Sequence, residues 1–259
     1  MPRTVSLMPV YKEGGTIADV LKRTWPLVDM MVCVYDESGD GTLEALRKFA
    51  RGRKGFYILV MPHNRGMAGA LKAGFQFIQY LQSKGRVGPD DVVVMLDADG
   101  QHKPEYIPGA LRHMEEGRYE MALMRRDFSN YPAYKIWGNR FLSAINSVLS
   151  GVRYHDVECG FRLMKVHVLP AILAYYTGVK YSCAQEIAFL SARGGFRVDN
   201  SFVIEIPFYR YRASFMDGFT VLGLILYTFF RRMFGITVPP EDVTELMERT
   251  DRDSRKMWR

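Results

Sequence analysis

Short apolar runs alternate with helical patterns through the first two-thirds of the chain, and this alternation constrains the fold more than any other feature. Each run is bounded by polar residues or glycine, as buried strands usually are. Such βαβ alternation predicts an α/β fold in which helices flank a sheet. The predicted strands are Thr4–Met8, Met30–Tyr35, Phe56–Met61, Val92–Leu96 and Glu120–Met124.

Helical periodicity accounts for most of the remaining chain, with one further strand near Val198–Pro207. Neither a repeat nor a low-complexity linker marks a boundary, so we expect one domain over 1–215, an apolar helix over 216–236 and a charged tail over 237–259. From Pro239 the tail has few apolar anchors, which predicts a solvated or frayed helix. The predicted helices are Gly15–Trp25, Thr42–Ala50, Met67–Gln82, Pro104–Glu115, Tyr134–Ser150, Val166–Tyr175 and Ala184–Ala192.

Composition limits the classes of protein to consider. The chain has 259 residues, of which 48% are hydrophobic, and this excludes global disorder. A net charge of +7 favours an anionic partner: a nucleotide, a lipid phosphate, a membrane surface or a nucleic acid. Three widely spaced cysteines (Cys33, Cys159 and Cys183) predict reduced thiols and a cytoplasmic protein. Because the first predicted strand begins at Thr4, we expect no signal peptide.

The most apolar stretch, Phe219–Phe230, is too short to cross a bilayer, which needs about 20 residues. Our first interpretation is a buried or interface helix. The alternative is an amphipathic helix lying on a membrane. In that case four arginines would meet anionic head groups: Arg210, Arg212, Arg231 and Arg232.

Two carboxylates, Asp97 and Asp99, directly follow the predicted strand Val92–Leu96. Ligands in open α/β sheets bind beyond the carboxyl ends of the strands. Two hard oxygen ligands there, with the Gln101 carbonyl two residues on, suit Mg²⁺ or Mn²⁺ bridging a diphosphate. Asp-x-Asp is also ordinary turn chemistry, so the motif alone supports metal binding and a turn equally.

The first strand leads into Pro9-Val-Tyr-Lys-Glu13 and then a helix. The helix N-terminus could face an anion, Tyr11 could stack on a base, and Glu13 could accept a hydrogen bond from the base or its ribose. As an isolated motif this is a common strand–turn–helix junction.

Two further turns carry polar side chains. Asp36 lies at the tip of the second strand and is a ligand candidate, whereas Asp40 and Thr42 are typical capping residues. Arg65 lies among the small residues of Asn64–Gly74. Small residues permit close approach of the backbone to phosphate or base, and close helix–sheet packing explains them equally well.

Taken together, these motifs resemble the family-2 inverting glycosyltransferases of GT-A fold, and most closely the dolichyl- and polyprenyl-phosphate mannose or glucose synthases. The resemblance runs from about residue 4 to residue 212 and implies a mixed, Rossmann-like sheet. A second block, Gly138–Phe141 with Asp156–Arg162, resembles the Gly-Asn-x and Asp-x-x-x-Gly-Phe-Arg motifs of that subgroup. The motif Asp-x-Asp-x-Gln-His-x-Pro-Glu is matched by Asp97, Asp99, Gln101, His102, Pro104 and Glu105.

The resemblance implies a role for each candidate residue. The expected metal ligands for Mg²⁺ or Mn²⁺ are Asp97, Asp99 and Gln101. The expected catalytic residues are Asp99, the phosphate-contacting Arg125, Lys135 and Arg140, and the acceptor-facing Glu186. The expected contacts to the nucleotide sugar are Pro9, Tyr11, Glu13, Asp36, Arg65, Asp97 and Arg212.

The chain departs from the subgroup in two places. The paired Asp-Asp of the second strand tip is Tyr35-Asp36 here. The usual Arg-x-x-Gly-x-Ser-Lys ending is only Arg212-Ala-Ser-Phe215, which leaves the lipid-phosphate acceptor open.

Three functional hypotheses follow. The favoured one is a metal-dependent transferase that moves a hexose from a UDP- or GDP-sugar to a polyprenyl phosphate, peripherally at the cytoplasmic face of a membrane, with a membrane partner subunit or a homo-oligomer possible. The second keeps the donor and replaces the acceptor by a hydroxyl of a saccharide, a protein or a modified nucleic-acid base, for which a base such as Glu186 or Asp156 would take the proton. The third is a non-catalytic binding subunit.

Overall fold

The computed structural model describes residues 2–179, 183–207, 215–239 and 241–258, and for 215–219 it describes the backbone alone. The strands are β1 (Thr4–Val10), β2 (Met30–Tyr35), β3 (Phe56–Val60), β4 (Val92–Met95), β5 (Met121–Leu123), β6 (Arg125–Arg126), β7 (Arg162–Lys165), β8 (Val198–Asp199) and β9 (Val203–Ile204). The helices are α1 (Ile17–Thr24), α2 (Thr42–Ala50), α3 (Gly66–Ser83), α4 (Ile107–Glu116), α5 (Ala133–Ser150), α6 (Leu169–Leu173), α7 (Cys183–Arg193), α8 (Phe215–Met233) and α9 (Thr244–Met257).

Within these residues, the main sheet has the order β3-β2-β1-β4-β7-β5-β8, and β6 pairs with β9 in a second, two-stranded sheet. The strands β1 to β4 are parallel, so the tips of β1, β2 and β4 lie at one edge. The strand β7 runs antiparallel between β4 and β5. The predicted mixed α/β sheet is therefore confirmed, although β7 itself was not among the predicted strands.

Side chains of the central strands alternate between two hydrophobic clusters, one on each face of the sheet. On β1, Leu7 packs with α3 on one face, and Met8 packs with α1 on the other. A strand that is buried on both faces reads as a continuous apolar run, because neither face needs polar side chains. This explains why the bounds predicted for β1, β2 and β4 from the sequence agree closely with those in the structure.

The prediction of a solvated tail is wrong, because α9 packs along the edge strand β3. The indole Nε1 of Trp258 donates to the carbonyl of Phe56 at 2.9 Å, and its ring lies 5.2 Å from that of Tyr57. Asp251 pairs with Arg86. Helix α9 thus covers an edge that would otherwise expose unpaired backbone groups.

A group of helices, α5, α7 and α8, lies beside the β7–β5 half of the sheet, and each helix contacts the other two. In the described parts of the chain, no helix is both long and apolar enough to cross a membrane. The domain boundaries at 215 and 236 stay a prediction.

Candidate active site

The tips of β1 and β4 bring three carboxylates into one neighbourhood: Glu13, Asp97 and Asp99. The backbone carbonyl of Glu13 accepts from the N–H groups of Thr16 and Ile17, at 3.1 and 2.9 Å, where α1 begins. Its carboxylate accepts from the Thr16 hydroxyl, which also lies 3.4 Å from the carbonyl oxygen of Ala98. The first helix is thereby tied to the loop that carries both aspartates.

Hydrogen bonds within the β4 loop set the orientation of the aspartates. Gln101 donates to both carboxylate oxygens of Asp99, from its backbone N–H at 2.9 Å and from its side-chain amide at 2.7 Å. The backbone N–H of Asp97 donates to Nδ1 of the buried His102 at 3.0 Å. His102 therefore orients this loop, and the Asp97 carboxylate at 3.5 Å from the same nitrogen is a neighbour rather than an ion-pair partner.

The backbone of Gly160 passes directly against this loop. A Cβ atom at Gly160 would lie 3.0 Å from Oδ2 of Asp97 and 3.0 Å from Cε1 of His102, closer than side chains normally approach. The glycine of the Gly-Phe-Arg motif is thus explained by close packing. It joins the segment that precedes β7 to the carboxylates.

The electrostatics of the three carboxylates fit a divalent cation. Burial raises the pKa of Asp99 above its usual value, and Asp97 raises it further. Burial likewise raises the pKa of Glu13, with Thr16 opposing and neighbouring carboxylates adding to the shift. Among the residues that the structure describes, no three side chains of metal-binding type converge on one point. An ion held by Asp97 and Asp99 would therefore take further oxygen ligands from outside these side chains, such as water.

On the other side of β1, Asp36 organises the turn before α3. One carboxylate oxygen of Asp36 accepts from the backbone N–H of Arg65 at 2.7 Å, and the Asp36 carbonyl accepts from the Asn64 side chain at 3.0 Å. Burial raises the pKa of Asp36, while the backbone bonds from Arg65 and Gly66 oppose the shift. Asp36 thus holds in place a turn that borders the β2 tip.

The Arg65 side chain is engaged within the chain itself. Its guanidinium makes two 3.0 Å bonds to the carboxylate of Glu241, which also accepts from the buried Lys72 at 3.0 Å. Sequence reasoning missed Glu241 because it lies 176 positions from Arg65. The predicted contact of Arg65 with the nucleotide sugar stays a prediction.

The remaining predicted nucleotide contacts lie at the end of β1. Pro9 is within the strand, and Tyr11 just beyond it is exposed, with the Lys12 ammonium 5.2 Å from its ring centre. Asp40 accepts from the hydroxyls of Ser38 and Thr42, but the N-cap residue of α2 is Gly41. Asp40 and Thr42 therefore lie on either side of the cap position predicted for them and order the turn before the helix. Arg210 and Arg212 lie outside the described residues.

The three predicted phosphate-contacting cations are not grouped together by their elements. Arg125 lies on β6, and its backbone N–H donates to the carbonyl of Phe202 at 2.8 Å. Lys135 and Arg140 lie on α5, but five positions apart, which separates them by about 140° around the helix. The Arg140 guanidinium lies 5.9 Å from the centre of the Trp137 ring.

The buried Asp156 forms an ion pair with the half-buried Arg126, a partner that the sequence did not identify. Arg126 donates to both oxygens of Asp156 at 2.8 Å, and its backbone N–H donates to Asp156 at 2.9 Å. Asn200 accepts from the backbone of His155 and Asp156 at 2.7 and 2.8 Å. With both carboxylate oxygens bound, Asp156 is an ion-pair partner of Arg126 rather than the base considered for a hydroxyl acceptor.

Glu186, the predicted acceptor-facing residue, is fully buried in the first turn of α7. Its carboxylate accepts from the hydroxyls of Thr177, at 2.8 and 2.9 Å, and of Thr228 on α8. It therefore joins α7 to α8. A role toward the acceptor stays a prediction.

Glu158 is half-buried between Asp156 and Gly160. Burial raises its pKa, while a hydrogen bond from Gln185 opposes the shift. The side chain of Gln185 in turn accepts from that of Asn146 on α5 at 2.9 Å. A chain of amides thus leads from α5 to this carboxylate.

Curated proteins similar to this chain include an uncharacterised protein of Methanocaldococcus jannaschii. It is 27% identical over 206 residues, which cover 77% of this chain and 86% of that protein. Undecaprenyl-phosphate 4-deoxy-4-formamido-L-arabinose transferases of Pseudomonas syringae pv. syringae and Pseudomonas paraeruginosa are 29% and 30% identical, each over 65% of this chain. The match covers 49% and 48% of those transferases, so this chain spans about half their length.

A solved structure with a similar fold is glucosyl-3-phosphoglycerate synthase from Mycobacterium tuberculosis in complex with UDP. Its TM-score is 0.60 at 16% identity, over 92% of this chain and 82% of that one. The complex of the same enzyme with Mn²⁺, UDP-glucose and phosphoglyceric acid gives 0.58 at 16% identity, over 88% and 80%. At such identity the likeness shows the fold alone, and the GT-A fold predicted from the sequence is confirmed.

The family model described as Glycosyl transferase family 2 matches residues 7–173. That stretch is more than half of the chain and runs from β1 to the end of α6. It includes Glu13, Asp97 and Asp99 together with the glycine that packs against them. The family predicted from the sequence motifs is confirmed: the chain belongs to glycosyl transferase family 2 and is a glycosyltransferase.

Proposed function

We propose that the protein transfers a hexose, with inversion, from a UDP- or GDP-sugar to a polyprenyl phosphate at the cytoplasmic face of a membrane. The observation that carries the proposal is the placement of Asp97 and Asp99 at the β4 tip beside Glu13. The names of the undecaprenyl-phosphate transferases support the acceptor class. The UDP and Mn²⁺ complexes of the synthase with a similar fold support the donor and the cofactor.

Asp97 and Asp99 are the residues that would hold Mg²⁺ or Mn²⁺, and Gln101 keeps the Asp99 carboxylate oriented. When bound, the ion supplies Lewis-acid neutralisation of the charge that builds on the leaving diphosphate. The guanidinium of Arg125 and the ammonium of Lys135 would add positive charge around the phosphates. The direct role of the Gln101 carbonyl as a ligand stays a proposal.

The state of the carboxylates Asp156 and Glu186, on the α5–α7 side of the site, supports a phosphate acceptor. A lipid phosphate is already anionic, so its attack on the sugar needs no general base. Asp156 has both oxygens bound by Arg126, and Glu186 accepts from two threonines. Carboxylates held in this way are poorly placed to take a proton from an acceptor.

A hydroxyl acceptor is the second candidate. The observation that favours it is the raised pKa of the half-buried Glu158 carboxylate. A carboxylate whose pKa is raised by burial is a better base than one with an ordinary pKa. In this alternative Glu158 would take the proton from the hydroxyl, and the donor chemistry would stay the same.

The test is transfer from a pool of UDP- and GDP-sugars to a short-chain polyprenyl phosphate with Mn²⁺, followed by mass spectrometry. A glycosyl-phosphate lipid is the expected product. We expect Asp99→Asn to lower its formation about 10²- to 10³-fold, because charge on the diphosphate is then poorly neutralised. Asp253→Asn, on the exposed face of α9, is the matched control and should retain full activity.

Two other results would change the proposal. Release of nucleotide without a lipid product would keep the donor and point to a hydroxyl acceptor, and Glu158→Gln would then be the next variant. Full activity of Asp99→Asn would overturn the assigned metal site.

A further inference from the structure

Helix α5 has polar side chains at its most buried positions, while one apolar flank of Leu142, Ile145 and Leu149 is partly buried against the core. The side chains of α5 that are buried rather than partly buried are all polar: Asn139, Ser143, Asn146 and Ser150. Large apolar side chains of the same helix are exposed instead: Tyr134, Trp137, Phe141 and Val148. Trp137 is 69% exposed and Val148 is 82% exposed. An ordinary surface helix keeps its apolar side against the core. Helix α5 instead divides its apolar residues between the flank that packs on the core and a side that faces outward.

The two sets lie on opposite sides of α5. At 3.6 residues per turn, each set of four falls within an arc of about 60°, and the arcs face opposite directions. The inward amides bond to the protein, as Asn146 does with its donation to the Gln185 carbonyl at 3.0 Å. A contiguous outward apolar stripe of this kind marks a site of contact with a partner or a membrane.

The end of the neighbouring helix α8 carries a second stripe. Its exposed apolar side chains recur at helical spacing and continue just past the helix: Leu226, Tyr227, Phe230, Met233 and Phe234. On the inner side, Ile225 and Thr228 are buried, and Thr228 donates to Glu186 of α7. The helices α5 and α8 contact each other, so the stripes belong to neighbouring elements.

The charged residues beside the two apolar stripes indicate what kind of partner covers them. Residues 128–155 contain no Asp or Glu, and besides Lys135, which is proposed to lie near the donor phosphates, they contain Arg140 and Arg153. Residues 218–240 likewise contain Arg231 and Arg232 and no acid. Arg231 lies 5.4 Å from the centre of the Tyr227 ring. Cations beside interfacial aromatic residues match anionic lipid head groups above acyl chains.

We propose that the outward faces of α5 and of the end of α8 form an interfacial surface that lies on an anionic bilayer. Its residues are Tyr134, Trp137, Phe141, Val148, Leu226, Tyr227, Phe230, Met233 and Phe234. This rests on the proposed function, because a lipid-linked acceptor must be met at a membrane. It extends the membrane alternative considered for Phe219–Phe230, whose second half contributes Leu226, Tyr227 and Phe230, to the outward face of α5.

The test is flotation of the full chain with vesicles of phosphatidylcholine alone or mixed with phosphatidylglycerol. We expect binding to the anionic vesicles only. The double variant Trp137→Ser with Val148→Ser should weaken that binding about tenfold or more, because both side chains lose apolar burial in the lipid. Phe230→Ser with Phe234→Ser should act in the same direction. Val203→Ser, an exposed apolar residue on β9, is the matched control and should bind like the wild type.

Transfer to a water-soluble short-chain polyprenyl phosphate, without vesicles, separates this surface from the proposed function. Normal soluble transfer with lost vesicle binding in the double variants supports the surface. Vesicle binding that depends on these residues without any lipid transfer also supports it, while the acceptor proposal fails. Vesicle binding that the double variants leave unchanged overturns the surface. The surface is also overturned if the wild-type protein binds no vesicles but forms a dimer that the double variants dissociate. A second copy of the chain would then cover these residues.

Discussion

Helices α3 and α5 are each 18 residues long and neither contains an acidic residue, yet they pack in opposite ways. Helix α3 packs on β1 and β2 and buries Phe75, Phe77 and Ile78 in the apolar core. Helix α5 buries asparagine and serine, packs only one apolar flank on the core, and exposes aromatic side chains. Apolar content alone therefore does not say which side of a helix meets the core, since the elements beside it decide.

The two helices lie beside different halves of the candidate active site, and the two halves are held together in different ways. Beside α3, the proposed donor half is fixed by apolar packing and by the turn that Asp36 and Arg65 hold. Beside α5, the half next to the β7–β5 strands is fixed by hydrogen bonds that run through Asn146 and Gln185 to Glu158. Gly160 lies where the second half touches the carboxylates of the first.

The largest expected effect comes from Gly160→Ala, which acts at this junction. The added Cβ would displace Asp97 or His102, and a misplacement of about 1 Å can lower a rate about 10²-fold. We expect kcat for sugar transfer to fall by about that factor while the thermal unfolding temperature changes little. Gly15→Ala is the control, because a Cβ there meets nothing within 4 Å. Unchanged kcat in Gly160→Ala would show that the carboxylate loop tolerates movement.

The second prediction tests how tightly α3 packs on the sheet. A Cβ on Gly74 would lie 2.3 Å from Cδ1 of the buried Leu7 and 3.2 Å from Cγ2 of Val34. Gly74→Ala should lower the free energy of unfolding by about 1–3 kcal/mol, because overpacking outweighs the gain in helix propensity. Urea denaturation measures the change. A stabilised variant would mean that Leu7 repacks without cost.

The local pattern of apolar runs and turns predicted the elements of the proposed donor half well. The bounds of β2 and α2 agree with the predicted ones, and those of β1, β3, β4 and α3 differ by two residues or fewer at each end. The aspartates lie at the β4 tip as expected. These features could be predicted because each depends on a single apolar run and the turn that follows it.

Long-range pairing could not be predicted from the same patterns. Strand β7 is Arg-Leu-Met-Lys, too short and too polar to be recognised by periodicity, and its place in the sheet depends on β4 and β5. The bond of Glu241 to Arg65, the burial of Glu186 and the packing of α9 on β3 likewise join distant segments. The helical pattern of α5 located the helix but not its inward side.

The third prediction concerns Glu241, which ties the segment before α9 to α3. Its hydrogen bonds with Arg65, reinforced by Lys72 against the opposing effect of burial, lower its pKa from 4.5 to about 2. A lowered pKa in the folded state means that the ionised carboxylate stabilises the fold above pH 4.5, and that this stabilisation is lost as the pH falls toward 2. Glu241→Gln should cost on the order of 1 kcal/mol at neutral pH, since the group is a third exposed and screened by solvent.

Urea denaturation of both proteins from neutral pH downward checks this prediction. The difference between wild type and Glu241→Gln should shrink below pH 4.5, because protonation removes the same ion pairs from the wild type. Glu248→Gln, on the exposed face of α9, is the matched control and should show no such convergence. A difference that stays constant with pH would mean that packing rather than charge holds the segment.

The smallest expected effect is that of Gly138→Ala on α5, which is the counterpart of Gly74→Ala on α3. A Cβ on Gly138 of α5 would meet nothing within 4 Å, because this part of the helix faces outward. Gly138→Ala should therefore raise the free energy of unfolding by about 0.5–1 kcal/mol, since alanine loses less backbone entropy in a helix. Urea denaturation beside Gly74→Ala gives the comparison directly: opposite signs are expected for the same substitution in two helices of equal length. A destabilised Gly138→Ala would show that α5 is covered in solution, by a second copy of the chain for instance, and the dependence of unfolding on protein concentration would then identify that contact.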